Sequence, residues 1–171
     1  MAIDDEPFFG ERRNTNPPVS GSDEPLSRRI GKLVSGEPFG VLCTQGEGQP
    51  YGSVVGFAFS EDLRAAVFAT PVATRKYRLL SEDNHVALVV DNRPRHPDNM
   101  MEVESITALG RATKLERGAE FDRWAQLLLA RHPQFRSFVY ASSTALFRID
   151  ITRFFHVTRF QEVSQWIPPR R

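Results

Sequence analysis

Cysteine is nearly absent: Cys43 is the single one in 171 residues, so no internal disulfide framework can form. A lone thiol suits a reducing compartment, and the expected address is the cytoplasm. Charge of one sign is missing too. The 22 Lys+Arg against 21 Asp+Glu leave +1, too weak a field to grip a polyphosphate backbone, so no nucleic-acid partner is expected. No apolar run approaches the ~18 residues of a membrane span. Val86–Val90 is typical of the longest, so no membrane partner is expected either. The acidic stretch Met1–Gly10 has no apolar h-region, so no secretory signal is read there. The four histidines, His85, His96, His132 and His156, lack ligand spacing, which leaves no metal site. Nucleophile-elbow, Walker and dinucleotide glycine fingerprints are all missing.

What is present is the balance of an ordinary globule, 40% hydrophobic and 25% charged, with length for one domain. Residues 1–22, with three prolines and polar runs such as Asn14–Asn16, have no apolar period and are expected to be a flexible tail. Phe8 and Phe9 are its only candidates for docking. Residues 23–171 form the expected domain. Leu26, Ile30, Leu33 and Val34 share one helix face, with Pro25 suited to the first turn. Strands are expected at Val41–Gln45 and Tyr51–Ser60, joined by the loop Gly46–Pro50, then at Ala65–Thr70 and His85–Asp91. Val86–Val90 reads as buried on both faces, and Met101–Lys114 continues the sheet with Val103, Ile106 and Ala108 in the core. Short and long helices are expected near Ala73–Leu80 and Gly118–His132, and two last strands near Ala145–Ile151 and Phe154–Val163. Strands in succession with inserted helices, rather than regular alternation, predict a mainly β fold, an antiparallel barrel or sandwich.

The informative stretch for chemistry is Thr70–Lys76. A strand ends, Pro71 breaks it, and a helix begins, placing Thr74, Arg75 and Lys76 in its first turn. Free amides, two hydroxyls and two cations converging there suit a small dianion such as a terminal phosphate. The same cations, with Arg78, read equally as the solvated face of a short helix. Gly52 and Gly56 flank Ser53, Val54 and Val55 in one strand, marking either a bulge or a place where a flat ring lies on the backbone; Gly110 invites the same two readings.

Taken together, Pro50-Tyr51-Gly52-Ser53-Val54-Val55, Ala69-Thr70-x4-Arg75-Lys76, the strand Val86–Val90 and Leu109-Gly110-Arg111-Ala112 resemble the pyridoxamine 5′-phosphate oxidase-like FMN-binding split-barrel proteins. The Pro-Tyr-Gly-Ser piece looks closest to a haem-utilisation branch. The resemblance implies an FMN-binding split β-barrel of six strands, working as a homodimer with FMN at the interface. By matched position, Arg75 and Lys76 would hold the FMN phosphate with help from Ser53 and Thr74. Thr70 would lie near the flavin, and the backbone of Val54 and Val55 would meet the ring. Ser105 stands where relatives often carry a glutamine, and Trp166 would reach the partner's flavin. Ser53 and Ala58 occupy positions where true pyridoxamine-phosphate oxidases have cations, and their C-terminal Arg-x-His is missing. The resemblance therefore implies a flavoprotein acting as an oxidoreductase on some other small molecule. The alternatives are a non-catalytic flavin or haem carrier or sensor, and a flavin-free barrel that mediates assembly.

Overall fold

The computed structural model describes residues 24–159 and 162–169. The expected tail, Phe8 and Phe9 included, lies outside the described residues. Helix α1 runs Leu26–Gly36, with Pro25 just before it and Ile30, Leu33 and Val34 buried, as the i, i+3, i+4 spacing predicts. β1 (Phe39–Gly46) and β2 (Gln49–Phe59) form a hairpin. Glu47 and Gly48 both take positive φ (56° and 73°), the two-residue turn whose twist matches the flanking strands. β3 (Ala65–Pro71), α2 (Arg75–Glu82) and β4 (His85–Asp91) follow, then β5 (Ser105–Lys114), α3 (Ala119–Arg131), α4 (Arg136–Tyr140), β6 (Thr144–Thr158) and β7 (Glu162–Trp166).

All pairings are antiparallel, in the order β3-β2-β1-β4-β5-β6-β7, and β6 returns to β3. Six strands therefore close into a barrel, which decides between the barrel and sandwich left open by the strand pattern and matches the mainly β split barrel that the resemblance implies. The closure is uneven. β3 pairs with β6 along its whole length, from Ala65↔Asp150 to Pro71↔Thr144. It pairs with β2 only at Phe57↔Phe68, Ala58↔Val67 and Phe59↔Ala66. Beyond Phe57 the two strands diverge, and the barrel is split there.

One core fills the barrel: Leu42, Phe57, Phe68, Leu88, Ile106, Ile149 and Phe154 point inward, and α1 covers them with Ile30, Leu33 and Val34. Each such large side chain contributes about 1.5–3 kcal/mol through burial. A second cluster packs α3 (Phe121, Trp124, Ala125, Leu128) onto the outer face of β2, β3 and β6 through Ala58, Val67 and Leu146.

Three expectations change. The last two strands are one 15-residue strand, β6, with β7 separate from it. The expected break falls on a bulge: Leu109 faces Arg153 and Gly110 faces Ile151, leaving Thr152 unpaired. An extra residue bends a strand without ending it. Gly110 belongs to that bend, since a Cβ there would lie 2.5 Å from the Asp150 carbonyl oxygen. Second, Val86, Leu88 and Val90 are buried while Ala87 and Val89 are only half-buried, so β4 has one inner face, not two. Third, the region before Ser105 is not strand; Met100–Glu102 makes a 3-10 turn capped by Asn99, and Val103 is half-buried rather than core.

Candidate functional site

The split between β2 and β3 opens a cavity of about 220 Å³, lined by Val54, Val55, Gly56, Ala69, Thr70, Pro71, Thr74, Lys76, Phe135 and Phe138. Its two rims are strand segments with no partner across the gap, so each presents peptide groups to whatever lies between them. Five of the nine residues expected to bind a ligand, Val54, Val55, Thr70, Thr74 and Lys76, meet here.

Thr74 is the N-cap of α2 rather than a first-turn residue, because Arg75 begins the helix. Its hydroxyl accepts from the Tyr77 amide (3.2 Å) and donates to the Pro71 carbonyl (2.8 Å). Thr70 Oγ1, fully buried, lies 3.0 Å from it and is therefore the donor of that pair. Both hydroxyls are engaged in shaping the strand-to-helix corner. What the corner leaves open is the first-turn amides of Arg75 and Lys76, which have no acceptor within the helix.

Lys76 points into the cavity, and burial lowers its pKa below the ordinary lysine value. Among the described residues no carboxylate lies within ion-pair reach of it. Arg75 is exposed and places its guanidinium 5.3 Å over the Tyr51 ring, tying α2 to β2 outside the cavity lining. Ser53 pairs with Leu42, so it shares the inward face and does not line the cavity; its Oγ is buried without a partner. An unneutralised ammonium between open backbone edges is an invitation to an anion. The donor set thus fits a phosphate monoester.

Ser105 lies on β5, three strands from β2 and two from β3 around the barrel, and pairs with Asp91 of β4. Trp166 packs on Phe154 (5.6 Å between centroids) beside α1. Within one chain the structure does not bring either to the cavity. Sequence reasoning missed Phe135 and Phe138, which follow the end of α3 and wall the cavity. Their i, i+3 spacing just after Pro133 was the available signal.

Two larger clefts lie elsewhere, one of about 760 Å³ between the β2–β3 turn, α3 and Pro168–Pro169, and one of about 730 Å³ beside α1. Most of their cations are already engaged, and Arg123 lies over the Trp124 ring. Arg148 binds both Glu120 and Asp150, Arg64 sits 3.7 Å from Asp62, and Arg131 donates to the Glu37 carbonyl. Charges that satisfy one another offer little to an anionic ligand.

Comparisons with known proteins agree with this fold. The chain is similar to a haem-binding protein from Mycobacterium smegmatis, with a TM-score of 0.74 at 17% identity, over 86% of this chain and 60% of that one. It is similar to ChuZ of Campylobacter jejuni, with 0.71 at 11% identity, over 82% and 58%. An FAD-binding protein from Mesorhizobium loti gives 0.62 at 16%, over 76% and 92%. The chain thus spans about three-fifths of the length of the first two. No curated protein matches it significantly. Among the described residues no helix is long and apolar enough to cross a membrane. The family model for pyridoxamine 5′-phosphate oxidase matches residues 26–158. Spanning the greater part of the chain and the whole closed barrel, that match makes this protein a member of the pyridoxamine 5′-phosphate oxidase family of split barrels.

Proposed function

We propose that this protein is an FMN-binding, homodimeric flavoprotein that acts as an oxidoreductase on a small molecule. The observation that carries the reading is Lys76, an unpaired ammonium inside a cavity whose rims are open strand edges. Its ammonium and the first-turn amides of α2 would hold the phosphate, with Arg75 at the mouth. The flavin edge would lie along the backbone of Val54 and Val55, beside Thr70. The bound flavin supplies the redox chemistry; the chain binds, orients and shields it.

A volume of about 220 Å³ falls below the roughly 300–1,000 Å³ of small-molecule sites, so one chain makes only part of the pocket. The missing wall is expected from a second copy. Val54, 70% exposed, pairs with Val41, which pairs with Val89, and Cys43 pairs with Ala87. Cross-strand partners share a face, so an apolar strip runs outward from the cavity rim, exposed at Val54 and half-buried beyond it. A twofold contact over it would bring the partner's sheet to the flavin, with the copies of Ser105 and Trp166 as candidates to complete the site. Burial raises the pKa of Cys43, so its thiol stays inert there. A lone thiol fits the cytoplasm.

Vitamin B6 oxidation is not the expected reaction. It needs cations for a second phosphate, whereas Ser53 faces inward and Ala58 is buried against α3. A carrier or sensor of flavin or haem is the rival, since one structural neighbour is a haem-binding protein and another an FAD-binding protein. Against haem stands the state of the histidines. His132 and His156 are buried against the Phe57 carbonyl and Glu104, and His85 and His96 pair with Asp83 and Glu102, so none lines the cavity.

The test is the absorbance spectrum of the purified protein, followed by FMN titration of wild type and of Arg75→Ala with Lys76→Ala together. A flavin spectrum and an affinity loss of roughly 30-fold or more in the double variant are expected, from one charge-assisted contact of about 1.5–3 kcal/mol at Lys76 and a smaller contribution from the exposed Arg75. Unchanged affinity overturns the reading. Turnover of NAD(P)H or another donor by the flavin-loaded protein separates the enzyme from the carrier.

A further inference from the structure

Gly56 borders the cavity, and a Cβ on it would fall 2.6 Å from Phe135 Cε2 and 3.4 Å from His132 Cε1. Both rings therefore rest on the backbone of the strand that forms one rim. His132 stacks on Phe135 with centroids 5.0 Å apart and planes 14° from parallel, and is 1% exposed. Its Nε2 lies 3.1 Å from the Phe57 carbonyl oxygen. A carbonyl only accepts, so Nε2 carries the proton of the neutral ring and a second proton must enter at Nδ1. Phe57 on β2, Phe39 on β1 and Phe135 bring no charge to the ring. The charged group that faces it is Arg131 on α3, itself held by the Glu37 carbonyl and lying over the Phe57 ring.

We propose that His132 is a positioning residue of the cavity: neutral, it braces Phe135 against Gly56 and keeps the wall closed on a bound mononucleotide; protonated, it loosens that wall and lets the ligand go. This rests on the flavin-phosphate reading above and adds its regulation. The direction follows from the surroundings. Burial, and then repulsion from Arg131, hold the His132 pKa below the ordinary value despite the Phe57 hydrogen bond. A depressed histidine pKa means the unfolded or opened state takes up the proton first. The brace is thus intact above the free-histidine value of about 6.5 and is lost as pH falls through the lowered folded value.

The test compares FMN dissociation constants at about pH 7.5 and about pH 5, across the histidine range, for wild type and His132→Gln. Glutamine keeps a donor for the Phe57 carbonyl and cannot titrate. The phosphate's own second ionisation, near about 6, weakens binding in both proteins alike, so the difference between them isolates His132. Wild type is expected to lose about tenfold more affinity than the variant over this interval, equivalent to about 1.4 kcal/mol; parallel losses overturn the proposal. Should FMN fail to bind at any pH, the flavin reading falls instead. The brace is then judged on the wild-type protein without flavin, by hydrogen exchange of residues 133–140. That second measurement also decides the matter if the variant does not fold. Protection of this segment is expected to drop at the lower pH after correction for intrinsic rates, and pH-independent protection overturns the brace.

Discussion

The small cavity in the split and the large cleft beneath α3 differ in what their cations have already found. In the cleft, Arg148 meets Asp150 at 2.9 Å and donates to Glu120, and these contacts, Asp150 first, raise its pKa against burial. In the cavity, Lys76 meets no carboxylate among the described residues, and its pKa is lowered by burial alone. The larger space is therefore the less demanding one. A paired arginine is part of the scaffold, whereas an unpaired, half-buried ammonium is held ready for a ligand that brings the missing charge. Volume ranks the two sites one way and electrostatics the other, and the chemistry follows electrostatics.

The comparison breaks first at Lys76. Replacing it by methionine keeps the stem and removes the charge, so the phosphate loses its buried partner while the cavity keeps its shape. FMN affinity is expected to fall by roughly 10- to 100-fold, the weight of one charge-assisted hydrogen bond. Arg75→Met is expected to cost only a few-fold, because its guanidinium is exposed and stacked over Tyr51. Equal losses would mean that both cations sit in water. The stability of the Lys76 variant is expected to rise slightly, because removing an unpaired half-buried charge relieves desolvation.

Arg148→Met is the complementary probe. Here folding stability is expected to drop by about 1 kcal/mol while FMN affinity stays unchanged, since the ion network is lost but Glu120 and Asp150 are half-exposed and regain water. Thermal melts alongside flavin titration measure the two effects separately. A loss of flavin binding with no loss of stability would reverse the assignment of the two clefts.

Much of this contrast was legible before any coordinates. The barrel strands through β4, the helices α1 and α3, and the strand-to-helix corner at Thr70–Lys76 follow from apolar periods and from Pro71, which are local signals. The split itself was not legible. It depends on β2 pairing with β3 over three residues and with β1 over eight, and register between distant strands leaves no mark in one sequence. The unity of β6 was hidden for a related reason: Thr152, in the polar gap between the two expected strands, is a bulge whose hydroxyl donates to the Leu109 carbonyl at 3.1 Å. Thr74 shows a subtler limit. Its residue type suggested a ligand contact, and only the bonds to Tyr77 and Pro71 reveal a cap. Phe135 and Phe138 joined the site because α3 folds back over Gly56, a contact between segments about eighty residues apart.

The smallest expected effect tests whether self-paired charges away from the split are purely structural. Glu104 accepts from His156 Nε2 at 3.4 Å and lies 3.5 Å from Arg29, so it ties the entry of β5 to β6 and to α1. The His156 hydrogen bond first, against burial, and then the attraction of His156 and Arg29 hold the Glu104 pKa below the usual glutamate value. A depressed carboxylate stabilises the fold fully above the unfolded pKa of about 4.3, and the benefit is lost as pH falls through the lowered folded value. Glu104→Gln is therefore expected to be less stable near neutrality by a few tenths of a kcal/mol, the scale of a partly exposed pair, and to melt with wild type at the acid end. Flavin affinity near neutrality should not move, because Glu104 leads into β5, across the barrel from the split that holds Lys76. Melts that stay apart at low pH would show that something other than the ionised carboxylate holds this corner, and the division between scaffold charges and ligand charges would have to be redrawn there.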